Sequence, residues 1–126
     1  MLYIDTNILI YLFESHDLYS KKVAGILEEF TSSGKQLLTS AVTVTEFLAG
    51  TTSSSLETLQ KVPKLHIISV DENLAEHAAN IQRENSIKIG DSIHLATAIQ
   101  QKTEAFFTND KKLTKVVKKY MPVISL

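Results

Sequence analysis

Four acidic residues stand where the chain passes from an extended segment into a helical one. They are Asp5 in Tyr3-Ile-Asp-Thr-Asn7, Glu46 in Thr43-Val-Thr-Glu46, Asp91 in Gly90-Asp-Ser-Ile-His94 and Asp110 in Thr108-Asn-Asp110. They are far apart in sequence, so only a fold could gather them. Gathered, they would make an anionic pocket suited to Mg2+ or Mn2+, hard cations that take oxygen ligands and keep several waters. A cation held by carboxylates polarises a phosphoryl oxygen and lowers the pKa of a bound water. A remaining carboxylate can position or deprotonate that water. The pattern therefore points to metal-assisted phosphate chemistry, with Mg2+ or Mn2+ as the expected cofactor.

Each acid has a plainer explanation when taken alone. Asp5, Asp91 and Asp110 could cap helices, because a carboxylate accepts from free N–H groups and suits the positive end of the helix dipole. Glu46 lies three residues after Thr43, the capping-box spacing, although Ser40 competes as the cap. Asn7 and Thr108 could hydrogen-bond the acids and fix their rotamers, or could serve local turn chemistry. His94 lies one helical turn after Asp91, a place that suits a general base, and reads first as a structural histidine in a packed helix. His16, His66 and His77 are scattered without metal-ligand spacing. Ser92 lacks a nucleophile-elbow context, and no glycine-rich phosphate loop is present, which argues against a serine hydrolase and against ATP- or dinucleotide-dependent chemistry. Tyr3, Tyr11, Phe13, Phe30 and Phe47 read as core.

The elements that must position these residues alternate. Leu2 to Ile4 reads as a buried strand, Ile8 to Phe13 as a helix, and Leu18 to Thr31 as a second helix stopped by Gly34. Gln36 to Thr39 reads as a strand, Ser40 as the N-cap of a helix reaching about Ala49, Thr51 to Ser55 as a loop, and Leu56 to Lys61 as a short helix ended by Pro63. Leu65 to Val70 reads as a strand, with Ser69 and Glu72 at capping-box spacing before a helix to about Glu84. Asp91 to Gln101, Ala105 to Phe107, Lys111 to Tyr120 and Val123 to Ser125 read as helix, strand, helix and edge strand. This alternation implies a three-layer α/β/α fold around a mostly parallel sheet of four or five strands, with the acids aimed at one sheet edge.

The 126 residues, 44% of them hydrophobic, suit one compact domain spanning residues 1–126 and argue against disorder. The absence of cysteine excludes disulfides, thiolate catalysis and Cys-based zinc sites, and fits a reducing cytoplasm. No basic n-region opens the chain and Asp5 interrupts its apolar start, so a signal peptide is not expected; the longest apolar run, Ile8 to Phe13, is too short for a bilayer. The net charge of −1 does not mark a nucleic-acid partner. Its distribution is more telling: Lys102, Lys111, Lys112, Lys115, Lys118 and Lys119 face only Glu104 and Asp110 between positions 102 and 119. Such a surface reads first as a solvated helix face and second as a patch that steers phosphates.

The order Asp5-Thr-Asn7, Thr43-x-x-Glu46, Asp91-Ser-Ile-His-Leu-Ala-Thr-Ala98 and Thr108-Asn-Asp110 resembles the PIN domain, and at this length most resembles the VapC-type toxins of toxin–antitoxin pairs. The resemblance implies a Mg2+- or Mn2+-dependent endoribonuclease on a parallel-sheet α/β/α fold. Asp5 matches the family's first metal-binding acid, Asp91 its second, Glu46 the helical acid of the cluster and Asp110 the variable fourth acid, with Asn7 and Thr108 at the supporting polar positions. It also implies an RNA substrate, homodimers, a cytoplasmic location and neutralisation by a cognate antitoxin. Two other classes remain open at this stage: a receiver-like domain with Asp71 as phosphoacceptor, and a non-catalytic module whose groove holds a peptide.

Overall fold

Short strands, the three central ones fully buried, alternate with helices along the chain. A computed structural model describes residues 1–14, 17–51 and 54–126; His16, and Thr52 and Ser53 of the expected loop, lie outside them. The elements are β1 (Leu2–Ile4), α1 (Thr6–Glu14), α2 (Asp17–Ser32), β2 (Leu37–Ser40), α3 (Ala41–Gly50), α4 (Leu56–Gln60), β3 (Leu65–Ile68), α5 (Glu72–Asn85), α6 (Ile89–Gln100), β4 (Ala105–Phe107), α7 (Lys111–Val117) and β5 (Val123–Ile124).

The strands pair in the order β3-β2-β1-β4-β5, every pair parallel. β1 and β4 are buried at every residue, as a central strand covered on both faces must be. Successive side chains of β1 alternate between two cores. Leu2 and Ile4 pack with Ile8 and Leu9 of α1, Val23 and Leu27 of α2, Phe47 of α3 and Phe107. Tyr3 packs on the other face with Leu74 of α5, Leu95 of α6, Phe106 and Leu113 of α7. The result is three layers, α1–α4 on one face and α5–α7 on the other. Because β1 meets β2 on one side and β4 on the other, the winding reverses between β1 and β4. The C-terminal edge of an open parallel sheet holds its ligand crevice at such a reversal.

Local chemistry sets the ends of the elements. Gly34 takes a left-handed φ of 83° just past α2, and the N–H of Lys35 returns to Phe30 O at 3.2 Å. Ser40 caps α3 by accepting from Val42 N. The expected cap of α5 moves: β3 ends at Ile68 rather than Val70, so Asp71, not Ser69, stands at the cap position and accepts from Leu74 N at 2.8 Å. Helix α6 starts at Ile89, two residues before the expected Asp91, which places Asp91 inside the first turn. Phe13, expected in the core, is 40% exposed and meets Phe47 only edge-on.

Phe106 is fully buried and stacks on Tyr3 with ring centroids 4.8 Å apart. Phe106→Ala is expected to cost about 3–5 kcal/mol in urea unfolding, and Phe13→Ala a small fraction of that. Equal losses at the two positions would contradict this account of the core.

Candidate active site

The reversal between β1 and β4 brings the chain's polar residues together. Asp5 N donates to Phe107 O at 3.0 Å, which extends the β1–β4 ladder by one residue and leaves Asp5 at the sheet edge. Thr108, one residue past β4, donates from Oγ1 to Asp5 Oδ2 at 2.7 Å, and Asn7 donates from Nδ2 to the same oxygen at 3.1 Å. Thr6 N donates to Asp5 Oδ1 at 2.8 Å. Asn7 Oδ1 accepts from Asn109 N, and Thr108 Oγ1 from Asp110 N, so the two loops lock each other. Asp5 is thus buried with its carboxylate orientation fixed from several directions.

Glu46 reaches the site from the second turn of α3. Its Oε1 accepts from Thr6 Oγ1 at 2.6 Å and from His94 Nε2 at 2.7 Å, leaving Oε2 free of these bonds. Gly90, beside Asp91 on α6, leaves the room Glu46 needs: a Cβ there would stand 2.9 Å from Oε2. Asp110 caps α7, its Oδ1 accepting from Lys112 N at 2.9 Å and Leu113 N at 3.1 Å. Asp91 is only partly buried and takes no hydrogen bond or ion pair among the described residues. Together Asp5, Glu46, Asp91 and Asp110, with Thr6, Asn7 and Ile10, line a pocket of about 250 Å³.

The electrostatics of this pocket are lopsided. Among the described residues, His94 alone forms ion pairs with these carboxylates, at 2.7 Å to Glu46 and 3.5 Å to Asp5, and no lysine or arginine does so. Burial, followed by the charges of Asp5 and Asp110, raises the Asp91 carboxyl to about 6. The His94 hydrogen bond, which outweighs burial, holds Glu46 below the ordinary carboxyl range, with help from Thr6. Burial pushes His94 down, yet the hydrogen bond to Glu46 and the charges of Asp5, Glu46 and Asp91 leave it raised. Burial and the nearby Asp5 keep the Tyr3 phenol neutral, its pKa well above the usual value, and its oxygen lies 2.6 Å from His94 Nδ1. With Nε2 donating to Glu46, a neutral His94 takes its proton at Nε2 and receives the Tyr3 hydroxyl at Nδ1.

Oxygen donors with excess negative charge fit a hard divalent cation. Asp5, Asp91 and Asp110 are the carboxylates that could hold one, with Glu46 left to handle a water. Among the described residues no group of three or more acidic or histidine side chains stands in position to hold a metal ion. An open arrangement of this kind suits Mg2+, which typically binds one or two carboxylates and keeps its waters.

All four sequence-derived acids, with Asn7 and Thr108, share this neighbourhood. His94, read first as structural and second as a general base one turn from Asp91, is buried and packed but also touches two of the acids. Thr6 and Tyr3 were missed, although Tyr3 lies two residues before Asp5 on the same face of its strand. His66 and His77 pair elsewhere, with Gln36 and Gln100. Asp71, the candidate phosphoacceptor, follows an edge strand, is exposed and spends its carboxylate on capping α5.

A doubly wound parallel sheet whose acids line the crevice at its reversal defines the class of domain. The sequence matches the PIN domain family over residues 2–119, and the chain belongs to that family. It is similar to a solved toxin–antitoxin complex from Klebsiella pneumoniae at 26% identity and TM-score 0.76, covering 98% of this chain and 96% of that one. It shares the fold of VapBC2 from Rickettsia felis, solved bound to a DNA fragment from its promoter (17% identity, TM-score 0.70, 99% and 98% covered). It also shares the fold of VapC20 from Mycobacterium tuberculosis, a sarcin-ricin loop cleaving toxin (12% identity, TM-score 0.72, 91% and 94% covered). No curated protein matches the sequence.

These charges set a pH dependence for the metal-free protein. Asp91, raised from 3.8 to about 6, binds its proton more tightly folded than unfolded, so it adds stability as pH falls below about 6. His94, raised from 6.5, gives stability that is full below that value and is lost as pH rises through its folded pKa. Glu46, lowered from 4.5, gives stability that is lost as pH falls through its folded pKa. The Tm should therefore rise as pH falls from 8 to about 4.5. Asp91→Asn should raise the Tm at pH 7.5 and flatten the profile between pH 3.8 and about 6. A wild-type Tm that climbs from pH 5 to 8, unaffected by that substitution, would contradict this.

Proposed function

We propose that this protein is a Mg2+- or Mn2+-dependent endoribonuclease and the toxin of a toxin–antitoxin pair. The observation that carries the proposal is the pocket of four carboxylates at the sheet reversal, with which no lysine or arginine among the described residues forms an ion pair. Membership of the PIN domain family supports it, as does the likeness to the Klebsiella toxin–antitoxin complex over nearly both chains. VapC20, which shares the fold, is itself a toxin that cleaves the sarcin-ricin loop. Resemblance to that class, with a chain that lacks cysteine, favours a cytoplasmic homodimer held in check by a cognate antitoxin. No helix among the described residues is long and apolar enough to cross a membrane.

Asp5, Asp91 and Asp110 would hold the cation, and Thr108, Asn7 and Thr6 N fix the Asp5 carboxylate for that task. When bound, the cation supplies polarisation of the phosphoryl oxygen and a lowered pKa for water. Glu46, held ionised by His94 and Thr6, presents Oε2 to orient the attacking water and accept its proton. Water adds to phosphorus, the bond from phosphorus to O3′ breaks, the departing O3′ takes a proton from solvent, and the products are a 5′-phosphate and a 3′-hydroxyl.

Asp5→Asn and Asp91→Asn should each reduce RNA cleavage with Mg2+ or Mn2+ by more than the roughly 10–100-fold typical of losing an outer hydrogen-bond partner, which is the loss expected for Thr108→Ala. Cleavage at wild-type rate in both Asn variants would reject the mechanism. Gly90→Ala separates stability from function. Alanine favours a helix by about 1 kcal/mol over glycine, while its Cβ would displace the Glu46 carboxylate. The variant should stay folded and cleave RNA more slowly. Full activity would show that the Glu46 position is not required.

A further inference from the structure

α7 and the turn that follows it divide into two unlike faces. Leu113, Val116 and Val117 are buried against the sheet. Lys111, Lys112, Lys115, Lys118 and Lys119 are all exposed. At about 3.6 residues per turn, Lys111, Lys115 and Lys118 fall on one line along the helix, with Lys112 and Lys119 beside it, opposite the buried side. The turn keeps that line, since Lys118 N still bonds Thr114 O at 3.0 Å and Lys119 N bonds Val116 O at 3.1 Å. From Lys111 to Lys118 the ridge runs about 10 Å. The side chains of Lys111, Lys112, Lys115 and Lys118 take part in no ion pair or hydrogen bond among the described residues, and only Lys119 is engaged, with Asn85. The ridge starts at the pocket itself: the residue before Lys111 is Asp110, which both caps the helix and lines the acidic pocket.

We propose that this lysine ridge is the track along which the phosphate backbone of single-stranded RNA is held as it enters or leaves the acidic pocket. The inference rests on the nuclease reading above and adds where the substrate lies. A row of unpaired cations beside a pocket with more carboxylates than cations suits a ligand with regularly repeated anions, one of which is delivered to the acids together with a divalent cation. A polynucleotide strand has that form. An acidic peptide would gain from the ridge but would bring further carboxylates toward the pocket. The lysines bind phosphates without reading bases, so the ridge supplies affinity and register, and leaves sequence choice to other parts of the groove.

The test compares the wild-type protein, the triple variant Lys111→Gln, Lys115→Gln, Lys118→Gln, and a control variant Lys21→Gln, Lys22→Gln on the exposed side of α2. Binding of a fluorescently labelled single-stranded RNA is measured by anisotropy across a salt series in chelator, and kcat and KM are measured with Mn2+. The triple variant should bind roughly tenfold or more weakly, and its slope of log affinity on log salt should be shallower by about 2, near 0.7 for each phosphate that no lysine neutralises any longer. Its KM should rise more than its kcat falls, and the control should match wild type in slope and affinity. An unchanged slope and KM in the triple variant, while wild type cleaves RNA, overturns the ridge and leaves the nuclease reading standing. Failure of wild type to cleave RNA with either cation overturns the nuclease reading itself. Tighter binding of poly-glutamate than of RNA, abolished in the triple variant, would also overturn the proposal and assign the ridge to an acidic protein partner.

Discussion

The repulsion between carboxylates brought together at one sheet edge is the constraint on which the rest of this structure depends. Asp5, Glu46, Asp91 and Asp110 come from four separate elements, and each would be more stable apart from the others. Hydrogen bonds hold them in place, with His94 the one ion-pair partner among the described residues. Backbone pairing fixes Asp5 at the end of β1, Thr108 and Asn7 hold its carboxylate, and the N-terminus of α7 holds Asp110. Asp91 has no such support, and the raised pKa of its carboxyl, about 6, records the cost. A site whose neighbours suppress ionisation is one that a cation would complete, and folds commonly accept such local instability where they do chemistry.

His94 is the hinge of that arrangement. It is fully buried in α6, yet its two ring nitrogens reach Tyr3 on β1 and Glu46 on α3. One side chain therefore ties a central strand to helices on both faces of the sheet. The same bonds give Glu46 its orientation and low pKa, so packing and electrostatics are not separable here. Thr6 reinforces the link, donating to the same Glu46 oxygen, and Gly90 keeps the space open. The lysine ridge of α7 lies outside this knot and meets it only at Asp110, which allows charge on the ridge to be altered without disturbing the buried network.

Much of this was legible in the sequence because the strands are short apolar runs between turn-forming residues, and because acids at strand ends are visible without any knowledge of pairing. The layer architecture follows from that alternation. The sheet order does not, since the two neighbours of β1 come from positions about 35 and 103 residues further along the chain, and only non-local packing selects them. Element ends moved where a competing cap prevailed, as Asp71 did over Ser69. His94 reads first as packing because a histidine on a small-residue helix usually is core; the carboxylates it meets belong to other elements. The clearance at Gly90 had no sequence signal, since its neighbour Glu46 is 44 positions away in the chain.

The central claim is that the gathered acids form a cradle for a divalent cation. A crystal soaked in Mn2+ and measured at the manganese absorption edge tests it most directly. An anomalous peak within coordination distance of Asp5 and Asp91, with Asp110 contributing directly or through a water, is the predicted result. Manganese found only on surface carboxylates elsewhere, with the pocket acids unmoved or bridged by a lysine, would contradict it.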